Sequence, residues 1–252
     1  MDLKDLEEYL NNWIENLSPL DKRSLIARLS SLKSVFPFNK YEYILMFLLD
    51  RKIITFNDYE ELRERYLSSN PYLELYGIAP REFGEIWGHS HIMDIDSRFK
   101  KPNKDIDPTF EGQYDLWFEG IKVEVKACRA TNTKKKGNLI EKALRYDSNE
   151  PFLMNFQQIK VNMADVFIFI GVWVDKIVYW VMSRKEITEN EYLSPQHRGG
   201  IEYQIMITER NISQFDIYRV EPAEIANKVL EKGKRRDKSR GIFKGKGHSQ
   251  NT

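Results

Sequence analysis

From Gln113 to Cys128 the chain reads Gln-Tyr-Asp-Leu-Trp-Phe-Glu-Gly-Ile-Lys-Val-Glu-Val-Lys-Ala-Cys. Apolar and polar residues alternate, the alternation breaks at Glu119-Gly120, and then it resumes. Two period-two runs around a short glycine-containing break predict a β-hairpin. With Glu119 and Gly120 as the loop, Phe118 pairs with Ile121, Leu116 with Val123, and Asp115 comes opposite Glu124. Side chains alternate across a strand, so Tyr114, Leu116, Phe118, Ile121, Val123, Val125 and Ala127 share one face. Gln113, Asp115, Trp117, Lys122, Glu124 and Lys126 share the other. Two facing carboxylates about 5 Å apart repel each other and weaken a sheet. A divalent cation between them turns that repulsion into coordination, and Lys126 points to the same side. A solvated hairpin face with incidental charges is the competing reading, because charged residues make up 31% of the chain.

Acid-x-Lys triplets start at Asp2, Asp50 and Glu124, and only the last lies in a strand pattern with a second carboxylate in register. Asp115, followed after eight residues by Glu124-Val-Lys126 in a hairpin, resembles the Asp…(Asp/Glu)-x-Lys signature of the restriction-endonuclease-like nuclease superfamily. The proline familiar before the first acid is not adjacent: Tyr114 stands there, and Pro108 lies seven residues before Asp115.

The resemblance implies an α/β fold: a restriction-endonuclease-like core with a central mixed β-sheet flanked by helices, plus an N-terminal helical subdomain. It implies Mg²⁺ held by the carboxylates of Asp115 and Glu124 and the backbone carbonyl of Val125, with Lys126 positioning the attacking water. Glu85, or else Glu82, would reach the site from the helical stretch Arg81–Trp87. Mg²⁺ takes hard oxygen ligands and keeps several waters, so few carboxylates are needed. The implied activity is that of a type II restriction endonuclease, a Mg²⁺-dependent, site-specific hydrolase of phosphodiesters in double-stranded DNA within a restriction-modification system. A homodimer is expected, since two-fold symmetric sites are matched by two-fold symmetric proteins. Another nuclease of this fold, acting in repair or on junctions, and a DNA-binding protein without catalysis are the alternatives.

Composition bounds the rest. A chain of 252 residues with 41% hydrophobic residues can bury a real core, removing about 70–75% of its unfolded surface from water. The longest apolar run, Val166 to Val174, is too short to span a bilayer. The opening Met-Asp-Leu-Lys-Asp-Leu-Glu-Glu has no signal-peptide character. With one cysteine, Cys128, an intrachain disulfide is impossible, which fits a reducing cytoplasm. The net charge of +1 hides an asymmetry: from Lys228 onward there are nine Lys or Arg against Glu231 and Asp237. Such a stretch is compatible with an anionic polymer as partner.

Three parts are expected along the chain. Residues 1–70 read as four short helices, a dimerisation or DNA-contacting subdomain. Ser18-Pro19 opens the second helix, Tyr43 to Leu49 form a buried third, and Thr55-Phe-Asn-Asp caps the fourth. Residues 71–232 form the nuclease core, and 233–252 a basic, disordered tail. His89 to Asp96 repeats His and Asp without a second cluster to complete a zinc site. Arg129, Lys134, Lys135 and Lys136 lie just past the acids and are candidates for phosphate contacts. Asn155 to Lys160 reads as part of a helix whose Gln157, Gln158 and Lys160 orient the attacking water, hold a DNA phosphate or face a sister subunit. Asp165 to Val174 reads as a buried strand, and Ile177 to Met182 as its hairpin partner. His197 and Arg198, in a polar loop before the strand Tyr203 to Thr208, are candidates for reading base edges.

Overall fold

The computed structural model describes residues 10–31, 40–196 and 201–240. The chain forms two compact units. The first takes the chain up to Ala79, with Arg129–Leu153 and Val172–Ile177; the second takes Pro80–Cys128, Met154–Gly171 and the chain from Val178 on.

The first unit is built on helices: a helical stretch at 10–15, then α1 (Pro19–Ser31), α2 (Lys40–Asp50) and α3 (Phe56–Ser69). Ser18 caps α1 as expected, its hydroxyl oxygen accepting from the Asp21 N–H at 3.2 Å. Thr55 and Asp58 form a reciprocal capping box at the start of α3. Leu10, Leu25, Leu45, Leu48 and Leu62 belong to the shared core. α2 buries one face rather than the whole circumference: Ile44, Leu45, Phe47 and Leu48 are buried, while Tyr43 and Met46 are exposed. The buried Glu42 carboxylate on α2 is held by the Tyr59 hydroxyl and by Arg63 at 3.2 Å.

The unit does not stop at the Asn70-Pro71 break. Tyr76, in a 3₁₀ turn at Leu73–Tyr76, is buried, with its hydroxyl 2.9 Å and 2.8 Å from the carbonyl oxygens of Ala130 and Val172. Hydrogen bonds between segments so far apart in sequence are why the expected division at 70 gives way to a discontinuous unit.

The second unit begins with a π-helical turn at Glu82–Trp87 that continues into α4 (Gly88–Ile95). A hairpin follows, β1 (Leu116–Phe118) and β2 (Ile121–Arg129); next along the chain come β3 (Thr131–Asn132), which belongs to the first unit, and β4 (Phe152–Ile159), most of which belongs to the second. The remaining elements are β5 (Val166–Val172), β6 (Ile177–Ser183), α5 (Arg184–Thr188), β7 (Leu193–Pro195), β8 (Tyr203–Thr208), β9 (Arg219–Val220) and α6 (Ile225–Arg240). One sheet has five strands in the order β1-β2-β5-β6-β9, the other four in the order β3-β4-β8-β7. In the first, Asp165 N–H donates to the Lys122 carbonyl and, farther along both strands, Ala130 N–H donates to that of Val172. β2 and β5 thus run parallel, while β1 with β2 and β6 with β9 are antiparallel, so this sheet is mixed. The second sheet is antiparallel. All seven residues of β5 are buried, as its unbroken apolar run predicts.

Two expectations are corrected. The stretch Asn155 to Lys160 is not helical but lies in and just past strand β4. The basic tail does not lose order at Gly233, because α6 runs on to Arg240; residues 241–252 lie outside the described residues. Among the described residues, no helix is long and apolar enough to cross a membrane.

Candidate active site

The hairpin turns at Glu119 (φ 47°) and Gly120 (φ 90°), the left-handed pair that a two-residue hairpin loop requires. Its register is the expected one: Leu116 with Val123, Trp117 with Lys122, Phe118 with Ile121. Leu116, Phe118 and Val123 are fully buried on the apolar face. One residue before β1, Asp115 steps out of the paired register rather than lying squarely opposite Glu124: its N–H donates at 3.1 Å to the carbonyl of Val123, the residue paired with Leu116. Its carboxylate accepts from the Val125 N–H at 2.8 Å. On the same side of β2, Lys126 Nζ lies 2.7 Å from Glu124 Oε1, and Glu124 is only 4% exposed.

A glycine brings one further group in. α4 starts at Gly88, where a Cβ would lie 3.3 Å from Ala127 Cβ and 3.9 Å from Val125 Cγ1. The helix therefore sits close on β2, and His89 Nε2 comes within 3.5 Å of Asp115 Oδ2. His91 belongs elsewhere: it stacks between Trp87 and Tyr179, with Nε2 2.6 Å from the Tyr179 hydroxyl.

The electrostatics divide the two acids. For Asp115, burial pushes the pKa up, but the hydrogen bond from His89, the charges of Lys126 and His89, and the Val125 N–H outweigh it and hold the carboxyl below its ordinary value. Glu124 has no such set of donors. Burial, offset only in part by Lys126 and joined by the negative charge of Asp115, pushes it up to about 7. For Lys126, burial works against its charge, but Glu124, Asp115 and, farther off, Glu202 prevail and raise its pKa.

The other expected residues fare differently. Glu85 is exposed and paired with Arg81 at 2.9 Å, and Glu82 is exposed as well. The wide π-helical turn sets the phase of the segment, and the residue that meets Asp115 is His89, four positions after Glu85. Arg129 is buried, and its guanidinium donates to the Ile78 carbonyl at 2.6 Å, so it holds the first unit together rather than facing a polyanion. Lys134, Lys135 and Lys136 are exposed in that first unit, Lys134 pairing with Glu150 at 3.3 Å. Gln158 is exposed on β4, its N–H donating to the side-chain oxygen of Gln196 at 2.8 Å. Lys160 lies 4.0 Å from Glu202, and its charge is one of those acting on Glu124. His197 and Arg198 lie outside the described residues.

Among the described residues, no three His, Cys, Asp or Glu side chains gather closely enough to hold a metal ion by themselves. Mg²⁺ does not need three: two carboxylates completed by waters are an ordinary set for it. A buried, oxygen-only pair whose second member is under-compensated fits such a cation. Sequence reasoning missed His89 as a partner of Asp115, and it missed Glu202 altogether. No protein-family model matches the chain, and no curated protein matches it.

Proposed function

We propose that this chain is a Mg²⁺-dependent nuclease of the restriction-endonuclease-like kind, a cytoplasmic type II enzyme that cuts double-stranded DNA as a homodimer. One observation carries the reading: two carboxylates and an amine, Asp115, Glu124 and Lys126, lie together on the polar side of one buried hairpin. A structural ion pair needs one acid, and the second acid raises the cost of the first unless a cation joins them.

Asp115 and Glu124, with the Val125 carbonyl, would hold the ion. Bound there, Mg²⁺ would lower the pKa of a water and offset charge on the phosphate. His89 keeps Asp115 oriented and ionised, as an outer partner does for a ligating carboxylate. Lys126 directs the attacking water at phosphorus and offsets the charge that builds on the non-bridging oxygens. The water gives up a proton to solvent as its oxygen forms the new P–O bond, the bond to the leaving sugar oxygen breaks, and that oxygen takes a proton from solvent. Lys160 adds positive charge near Glu124 and suits a neighbouring phosphate.

Incubating a mixed-sequence plasmid with purified protein, with and without MgCl₂, tests this. Discrete fragments only with Mg²⁺ support a site-specific cutter, and a smear points to a repair or general nuclease. Bound but intact DNA points to a binder without catalysis. Asp115→Ala and Lys126→Ala should each lower cleavage by about 10²-fold or more while DNA binding holds; full activity of either removes the assignment.

A further inference from the structure

Glu202 stands one residue before β8, and Gln204, two residues on, shares its side of the strand. Gln204 Oε1 accepts from Asn155 Nδ2 at 3.3 Å, and the Asn155 carbonyl lies 3.6 Å from Cys128 Sγ. Cys128, Lys126 and Glu124 follow one another on one side of β2. The polar row of β2 thus faces the polar row of β4 and β8, and Glu202 belongs to that second row. One of its oxygens is 4.0 Å from Lys160 Nζ. The other, Oε2, is buried and accepts from no donor among the described residues. A buried acceptor left without a donor is costly and calls for one.

Among the cations, Lys126 is one whose charge Glu202 acts on. Its ammonium is committed to Glu124 at 2.7 Å, and Glu124 is the carboxylate that the nuclease reading gives to the cation. Those two uses meet on one carboxylate, whose Oε1 the ammonium already holds. An ammonium buried among protein groups cannot simply be released, so it needs another acceptor. We propose that Glu202 is a positioning residue, the second carboxylate on which Lys126 comes to rest when a divalent cation takes Glu124. Glu202 thereby keeps the amine beside Asp115 in the loaded site. The identity of the cation rests on the nuclease reading, but the exchange of partners can be measured without any cleavage.

The test uses the full chain, labelled with ¹⁵N, and lysine side-chain spectra recorded during addition of MgCl₂ without DNA. The Lys126 ammonium is assigned by its disappearance in Lys126→Arg. In the wild type its signal should move on adding Mg²⁺ yet persist, because a bonded ammonium exchanges slowly with water. In Glu202→Gln the signal should be present without Mg²⁺ and vanish with it, and Glu202→Asp should restore it. Mg²⁺ affinity, measured by calorimetry, should change by less than the roughly tenfold that loss of a group supporting a metal site brings. With DNA and saturating Mg²⁺, Glu202→Gln should lower kcat by about 10²-fold with KM unchanged. Identical Lys126 signals in wild type and Glu202→Gln once Mg²⁺ is bound, loss of the wild-type signal on adding Mg²⁺, or no response to Mg²⁺ would each overturn the proposal, as would a tenfold loss of affinity. If Glu202→Gln fails to fold, wild type and Glu202→Asp decide it alone. If the wild type cuts no DNA, the nuclease reading falls, while the lysine spectra still decide whether Glu202 receives the amine.

Discussion

Glu124 carries the most demanding residue-level consequence. Its ordinary pKa of 4.5 is raised by burial to about 7 in the folded chain. Below about 4.5 it is protonated both folded and unfolded, and above about 7 it is ionised in both. Between those values the folded chain holds a proton that the unfolded chain does not, so stability falls as pH rises. The loss is about 3 kcal/mol across that window. Urea unfolding at pH 5 and pH 8 should show it, and Glu124→Gln should flatten the slope. Mg²⁺ competes with the same proton, so its affinity should rise about tenfold per pH unit up to about 7 and then level off. Calorimetry at pH 6 in buffers of different ionisation heat should find about one proton released per ion bound. Asp115, Glu124 and Lys126 were readable because strand alternation and a two-residue turn tie them together within a few positions. His89 and Glu202 were not, since nothing local in the chain links either to the hairpin.

At the level of elements, β4 shows how one backbone angle can mislead a reading of periodicity. Phe152, Met154 and Phe156 alternate with less buried neighbours, and then both Gln157 and Gln158 are exposed before Ile159 is buried again. Gln158 has φ 57°, a left-handed conformation inside a strand. That residue inserts an extra step, so Phe156 and Ile159 stand three apart, a spacing that also belongs to a helix. A side chain in this conformation costs about 1 kcal/mol that glycine does not incur. Gln158→Gly should therefore be more stable than Gln158→Ala by about that amount in denaturant titration. Equal stabilities would mean that the N–H bond to Gln196, rather than the backbone angle, governs this position. β5 and β6, by contrast, read cleanly, because strands buried on both faces need no alternation to be recognised.

Over the whole molecule, the sequence indicated the classes of element better than their grouping. Helices first and strands after is the order found, yet the chain re-enters the first unit at Arg129–Leu153 and again at Val172–Ile177. Composition changes and the Asn70-Pro71 break mark where helices end, but they carry no information about which distant carbonyl a tyrosine will meet. Tyr76→Phe keeps the ring and removes the hydroxyl that bonds to Ala130 and Val172, so it should lower stability by about 1 kcal/mol. A thermal melt checks this, and an unchanged midpoint would show that those bonds do not help hold the first unit.

Gly84 and Gly88 stand one helical turn apart, and they predict opposite tolerances. A methyl added at Gly84 meets nothing within 4 Å, whereas at Gly88 it presses on Ala127 of the very strand that carries Glu124 and Lys126. Evolution or mutagenesis could therefore decorate the first position freely. At the second, the helix or the strand must give by a few tenths of an ångström. Any give on the helix side moves an imidazole relative to its acid, so crowding a spot where no chemistry occurs is felt at the centre.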